Sequence, residues 1–225
     1  MVEAVAAVER EHGAVGVLIN NAGYGLDGPV EELDLAEMRR QFETNLFGPT
    51  RLTQLVIPGM RRQRWGRIVN VSSVGGRITT PGAGAYHASK HALESLSDAL
   101  RFEVQGFGID VIVVEPGAIR TRWVEKVVQS IEERPDAGSP YAAFRRAVAG
   151  RLATNDAGPL ALFAGEALDV ARVIERALAA KQPATRYTVP ANARLFSLAH
   201  RWMPDRWWDR FMRTQYPQPG ERCDA

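Results

Sequence analysis

Cysteine is almost absent from this chain: Cys223, close to the C-terminal end, is the only one. A lone thiol excludes an internal disulfide, and with it the small disulfide-braced secreted class, and it fits a reducing compartment. Long apolar runs are missing too, so no segment reads as a membrane span. The opening MVEAVAAVEREHG carries acidic residues early and has no apolar core of the kind a signal peptide needs. Together these absences make a cytoplasmic address the expectation. An excess of one charge is also lacking, since 28 basic and 26 acidic residues are scattered along the chain for a net charge of +2. That balance argues against nucleic acid as a partner. No His, Cys, Asp or Glu cluster has the spacing of a metal site. What is present is 225 residues, 45% of them hydrophobic, enough for one domain (1–225) with a substantial core and without internal repeats.

Three short β-branched runs, VGVLINNA (Val15 to Ala22), GRIVNVSS (Gly66 to Ser73) and GIDVIVVEPG (Gly108 to Gly117), read as buried parallel strands. Between them the apolar residues recur with helical period over about Asp34 to Gln63 and Gly84 to Gln105, and strands alternating with helices predict βαβ crossovers in an α/β fold. Glu166 to Gln182 reads as a further helix and TRYTV, from Thr185, as a further strand. The stretch 192–216 contains Trp202, Trp207 and Trp208 in an amphipathic pattern that predicts a helical lid or packing arm. An interfacial membrane helix is the alternative, but aromatic stripes at helical spacing are more often core contacts, so the pattern weighs against membrane association.

Tyr86 and Lys90 stand four residues apart in the second helical stretch, with Tyr86 thirteen residues after Ser73. Positions i and i+4 share a helix face, so phenol and ammonium can address one substrate. A phenol normally titrates near ~10 and is a poor proton donor or acceptor at neutral pH unless a neighbouring cation favours its anion. Lys90 is placed to supply that cation and lower the tyrosine pKa. Ser73, at a strand end, can hydrogen-bond the same reacting oxygen. Ser72 is an adjacent rival, and a hydroxyl here could equally satisfy local backbone. His87 and His91 fall on other helix faces and read as packing or surface residues.

Asn20-Asn21-Ala22-Gly23 after a strand, Asn45 within TNLFGP, Ser73, Tyr86 with Lys90, and Pro116-Gly117 leading to Thr121 occur in one order. In this combination the chain resembles the short-chain dehydrogenase/reductase superfamily, and its C-terminal third is similar to the branch of 17-beta-hydroxysteroid and retinol dehydrogenases. The resemblance implies a Rossmann-type doubly wound parallel sheet and an NAD(P)-dependent oxidoreductase interconverting a lipophilic alcohol and its ketone or aldehyde. It makes Tyr86 the general acid/base, with Lys90 tuning it and holding the nicotinamide ribose. Ser73 would polarise the substrate oxygen, and Asn45 would hold a water between lysine and solvent, although a purely structural Asn45 is a fair competitor. Asn20, Ala22 and Gly23 would line the adenosine and ribose side of the cofactor, and Ile119 and Thr121 would meet the carboxamide. The branch similarity points to NADP. Residues 123–165 would form the variable substrate loop, with Trp123, Tyr141, Phe144, Leu152 and Leu162 lining an apolar pocket or simply packing a helix pair. Relatives in this superfamily assemble through the helices carrying Asn45 and Tyr86, implying a homodimer or homotetramer.

One family feature has no counterpart here. A dinucleotide fold opens with a strand and a glycine-rich turn that sets pyrophosphate on a helix N-terminus. The run from Gly23 to Gly28 matches G-x-G-x-x-G in letters, but Pro29 follows and no strand-turn-helix unit surrounds it. The resemblance therefore implies an N-terminally truncated sheet, missing about 60 residues of strand-helix units, with Val15 to Ala22 left as an apolar edge. Gly16 also departs from the acidic residue frequent there. Two further functions stay open beside the oxidoreductase: a non-catalytic binding or interaction module, and a nucleotide-sensing regulator.

Overall fold

A computed structural model of the chain describes residues 1–134, 138–155 and 164–220. From the start, α1 (Val2–His12) leads into β1 (Val17–Asn20), and a long loop with one 3₁₀ turn leads to α2 (Leu35–Phe42), a π-helical turn (Glu43–Phe47) and α3 (Gly48–Arg62). β2 (Gly66–Val71), α4 (Gly84–Val104) and β3 (Ile109–Pro116) follow. A short β4 (Ile119–Arg120) precedes the helices α5 (Arg122–Glu132) and α6 (Ala142–Asn155). The chain closes with β5 (Gly165–Glu166), α7 (Ala167–Ala179), β6 (Arg186–Val189), α8 (Ala191–Trp202) and α9 (Asp205–Arg213).

The main sheet has the order β1-β2-β3-β6 with every pairing parallel. Parallel neighbours cannot be joined by a tight turn, so helices α2 to α4 make the crossovers. Side chains alternate across the sheet. Ile68 and Val111 face a cluster with Val5, Val56, Met60 and Val104 from α1, α3 and α4. Their neighbours Val69, Ile112 and Val114 face Val173 and Ala177 of α7 and Val189 of β6. Both faces are therefore covered by helices, which is why β2 and β3 read as near-continuous apolar runs. The expected α/β doubly wound sheet is the observed one.

β1 pairs with β2 alone, at one edge of the sheet, and Val17 and Ile19 on it are exposed. Gly16, just before it, has a packing reason: a Cβ there would stand 2.7 Å from the Trp65 ring. Polar side chains tie the layers together. The Asn20 amide donates to Asn70 Oδ1 at 2.8 Å, and the Asn70 amide donates to Ser97 Oγ on α4 at 2.8 Å. Arg186 of β6 donates to Glu94 at 3.1 Å and pairs with Glu115 of β3 at 3.3 Å, so buried carboxylates on α4 and β3 anchor the outer strand.

Gly108 ends the turn between α4 and β3 with φ of +77°, and a Cβ would run into the Arg64 carbonyl oxygen. A left-handed backbone and a backbone collision act together here. Gly108→Ala is expected to cost about 1–3 kcal/mol, read as a lowered urea midpoint.

The observed elements differ from the sequence expectation in three places. The first strand is only four residues long. The helical stretch after Asp34 is interrupted by the π turn, and the C-terminal arm is two helices that part at Met203-Pro204, where proline stops the first from continuing. The stretch anticipated as a substrate loop carries two packed helices, α5 and α6, in one apolar cluster with Trp123, Tyr141, Phe144 and Leu152. Tyr141 and Phe144 of this cluster also line a cleft, whereas Trp123 and Leu152 pack within the helix pair. Leu162 and Cys223 lie outside the described residues.

Candidate active site

α4 begins at Gly84, so Tyr86 lies in its first turn and Lys90 one turn on. The Lys90 Nζ sits 5.9 Å from the centroid of the Tyr86 ring and donates to the Val71 carbonyl at the end of β2, at 2.9 Å. Ser73 caps the 3₁₀ turn that follows β2: its Oγ accepts from Gly75 N at 3.0 Å and donates to Pro116 O at 3.3 Å, and the same hydroxyl is the polar group that acts on the Tyr86 phenol. His87 is a buried strut, with Nδ1 2.9 Å from Gly75 O and Nε2 3.0 Å from Thr80 Oγ1, fixing the loop between Ser73 and Tyr86 against α4. Ser73, Tyr86 and Lys90 thus converge at the C-terminal ends of the strands, where open α/β sheets hold their ligands.

Asn45 reaches the same place from the π turn. Its Oδ1 accepts from Tyr24 N at 3.1 Å, while its Nδ2 donates to Tyr24 O and to Ser89 Oγ, both at 3.0 Å. Ser89 in turn donates to the Tyr86 carbonyl at 2.7 Å. The amide therefore clamps the loop after Gly23 to the helix that carries Tyr86. Pro49, four residues on, has no N–H to give the Asn45 carbonyl, and the extra residue of a π turn is frequent at functional sites for such reasons.

Electrostatics reverse one expectation. Burial pushes the Tyr86 phenol up to about 12, the Ser73 hydrogen bond pulling it down only in part and the Asp27 carboxylate pushing it further up. The four-residue spacing places the amine one turn along the helix, but loss of hydration dominates and the net shift is upward, not downward. Burial also drives Lys90 down to about 8, with the Glu94 carboxylate opposing.

The anticipated cofactor residues divide. Gly23 is exposed, and a Cβ on it would lie 3.1 Å from Asn45 Oδ1 and 3.5 Å from Lys90 Nζ, so the absence of a side chain leaves the space beside the lysine open. Ala22 is exposed next to it. Asn20 is not turned toward that space: it is buried, its amide committed to Asn70 and, at 3.4 Å, Thr53. Ile119 packs into the cluster over β3 and β6, and Thr121 caps α5 by accepting from Trp123 N at 3.3 Å. The G-x-G-x-x-G letters open no helix: Gly28 is followed by Pro29 and a 3₁₀ turn. Among the described residues no metal-ligand cluster occurs and no helix is long and apolar enough to cross a membrane.

Two neighbours complete the site. The Trp123 ring lies 5.4 Å from that of Tyr86. A cleft of about 640 Å³, which Tyr86 and Trp123 do not line, runs between residues 79–84 and α9, walled by Val30, Pro81, Phe144, Trp208 and Met212. Trp208 closes it through an Nε1 hydrogen bond of 3.0 Å to Thr79 O, while Trp202 and Trp207 point outward and are exposed. Asp27, buried in the glycine-rich letters set aside as a false motif, was not anticipated. Its signal in the sequence is an isolated acid in an otherwise uncharged run, GYGLDGPV.

Residues 1–132 match the family model described as short chain dehydrogenase. The uncharacterized oxidoreductase YbbO of Escherichia coli is 49% identical over 118 residues, which are 52% of this chain and 44% of that protein. The chain thus spans about half the length of that relative. An NADPH-dependent 3-dehydrocapnine reductase of Ornithobacterium rhinotracheale is 34% identical over 215 residues, covering 91% of this chain and 73% of the relative. Among solved structures, a short-chain dehydrogenase from Streptomyces avermitilis superposes with a TM-score of 0.70 at 32% identity, over 94% of this chain and 72% of that one.

Proposed function

Starting from the fact that this chain belongs to the short-chain dehydrogenase family, we propose that it works as an NAD(P)-dependent reductase of lipophilic ketones or aldehydes. The observation that carries the reading is the convergence of the Tyr86 phenol, the Ser73 hydroxyl and the buried Lys90 one helical turn along, at the C-terminal ends of the strands. With its pKa pushed up to about 12 the phenol carries its proton at neutral pH, the form in which it can give that proton to a carbonyl oxygen.

The residues around Lys90 fit the nucleotide. The side-chain-free Gly23 leaves a cradle that a Cβ would fill, and the bond to Val71 O engages only one of the three donors on the ammonium. Ala22, Gly23 and Lys90 would hold the ribose side, and Ile119 and Thr121 the carboxamide; Asn20 supports this wall from within the sheet. When bound, NAD(P)H supplies the hydride. NADP is the preferred form in this reading, in keeping with the name of the NADPH-dependent relative. Tyr86 gives its proton to the carbonyl oxygen, and the Ser73 hydroxyl, which donates to Pro116 O at 3.3 Å in the free protein, would turn to donate a second hydrogen bond to it. Lys90, whose Nζ lies 5.9 Å from the centroid of the Tyr86 ring, would stabilise the phenolate that forms. The Asn45 carbonyl, which Pro49 cannot satisfy, is the acceptor for a water that returns a proton toward the lysine. Trp123 covers the ring and excludes other water.

Turnover decides the reading: loss of NADPH absorbance on adding a long-chain ketone is the expected result. A chain that binds no nucleotide and consumes none would instead favour the interaction module. Assembly is proposed through α3 and α4. Phe102 on α4 is 78% exposed, and Phe47, at the head of α3, and Leu96 are exposed as well. Light scattering is expected to show a homodimer or homotetramer, and Phe102→Glu a smaller species.

A further inference from the structure

The C-terminal arm inverts the pattern of an ordinary surface helix, which turns its apolar stripe to the core. On α8, Leu195, Leu198, Ala199 and Trp202 fall at i, i+3, i+4 and i+7, one continuous stripe, and all four are exposed, Leu195 by 70% and Trp202 by 81%. The opposite side, with Ala193, Ser197 and His200, is the one turned to the protein, where α8 packs on β6 and on the 3₁₀ turn after Ser73. On α9, Trp208 and Met212 are buried at i and i+4, while Trp207 is 72% and Phe211 40% exposed. The His200 and Trp208 rings meet edge to face at 4.4 Å, so the inner sides of the two helices pack on each other and their apolar stripes are left outside. Of the three tryptophans in this arm, the expected core contact is therefore made by Trp208 alone. An exposed apolar patch of this kind marks a surface that meets something.

Charge says what it meets. From Ala191 to Tyr216 there are five arginines and two aspartates, an excess larger than the +2 of the whole chain. Arg194 and Arg201 run along one flank of the α8 stripe, and Arg206 and Arg210 follow one another at i and i+4 on α9; all four are exposed. Asp205 and Asp209 are each two positions from Trp207 and so lie round the helix from it, Asp209 on the cleft. The rim of the patch thus carries one sign. A second copy docked two-fold on this surface would set arginines against arginines. Indole and aliphatic side chains rimmed by guanidinium groups instead match a lipid headgroup layer, where rings settle at the boundary with the acyl chains and the cations reach phosphate.

We propose that α8 and α9 form a docking surface for a membrane leaflet rich in anionic phospholipid, on which the protein rests without spanning it. The exposed stripes enter the boundary layer and the arginines engage the phosphates. Because α9 also walls the apolar cleft with Trp208 and Met212, docking holds that cleft beside the lipid. The proposal stands independently of the reductase reading.

Co-sedimentation with vesicles of phosphatidylcholine alone, and of phosphatidylcholine mixed with phosphatidylglycerol, tests it. The wild type is expected to bind the anionic vesicles ~100-fold more tightly than the neutral ones at low ionic strength, with a blue shift of tryptophan emission, and added salt to weaken that binding. Trp202→Ala combined with Trp207→Ala is expected to lower the affinity ~10-fold or more, and Arg201→Glu combined with Arg206→Glu by at least as much. All four positions are exposed, and urea midpoints matching the wild type show that the variants fold. Should one pair fail to fold, the other decides; should both fail, the wild-type comparison decides alone. The assignment is overturned by a wild type that stays in the supernatant with both vesicles, by equal binding to both, or by anionic binding that survives both paired substitutions. A wild-type dimer that the tryptophan pair breaks in light scattering, with no vesicle bound, would give the surface to a second copy and overturn it as well.

Discussion

Tyr86→Phe is expected to lower kcat for ketone reduction by roughly 10²–10⁴-fold, the usual contribution of a positioned proton donor, with KM little changed. The substitution removes one hydroxyl from a ring that keeps its contacts with Trp123 and His87, so the fold persists while the proton is lost. A loss confined to kcat marks an interaction made in the transition state. The pH profile adds a second signature. With Tyr86 held up to about 12 and Lys90 pushed down to about 8, the phenol keeps its proton through the neutral and mildly alkaline range while the ammonium does not. The reductive rate is therefore expected to fall near pH 8 through loss of the Lys90 charge, not through Tyr86. A rate in Tyr86→Phe that matches the wild type would remove the tyrosine from the chemistry.

The elements that support this site were legible because each obeys a local rule. β2 and β3 are apolar on both faces because helices cover both, and α4 shows its helical period from Gly84 onward. The proximity of Ser73, Tyr86 and Lys90 follows from a strand end, a short loop and one helical turn. What spacing cannot carry is solvation. Four residues on a helix place an amine near a phenol, but the upward shift of Tyr86 comes from the shell around it, which residues distant in sequence provide. The π turn escaped for a related reason. Periodicity over Asp34 to Gln63 averages out one extra residue, and the bonds that stabilise it run from Asn45 to Tyr24 and Ser89, 21 and 44 positions away. Pro49 was the local hint. Whether a residue at a strand end turns into the sheet or out of it is decided by partners distant in sequence, which for Asn20 are Asn70 and Thr53.

Asp27→Asn is expected to make the protein more stable in alkaline solution than in acid, relative to the wild type. The sign follows from the direction in which burial moves the carboxyl. A carboxyl whose folded pKa is raised from 3.8 to about 7 binds its proton more tightly when folded, so its contribution to stability is complete below pH 4 and is lost as pH rises through 7. The amide variant has no such proton to lose. Its stability difference from the wild type is expected to be on the order of 4 kcal/mol larger at pH 8 than at pH 4, since each tenfold gain in proton affinity on folding corresponds to about 1.4 kcal/mol. Urea midpoints of both proteins at the two pH values measure it. Glu94, also pushed upward by burial, titrates in both proteins and cancels in the comparison. A wild type and variant whose difference is flat with pH would mean that Asp27 already has its partner within the fold.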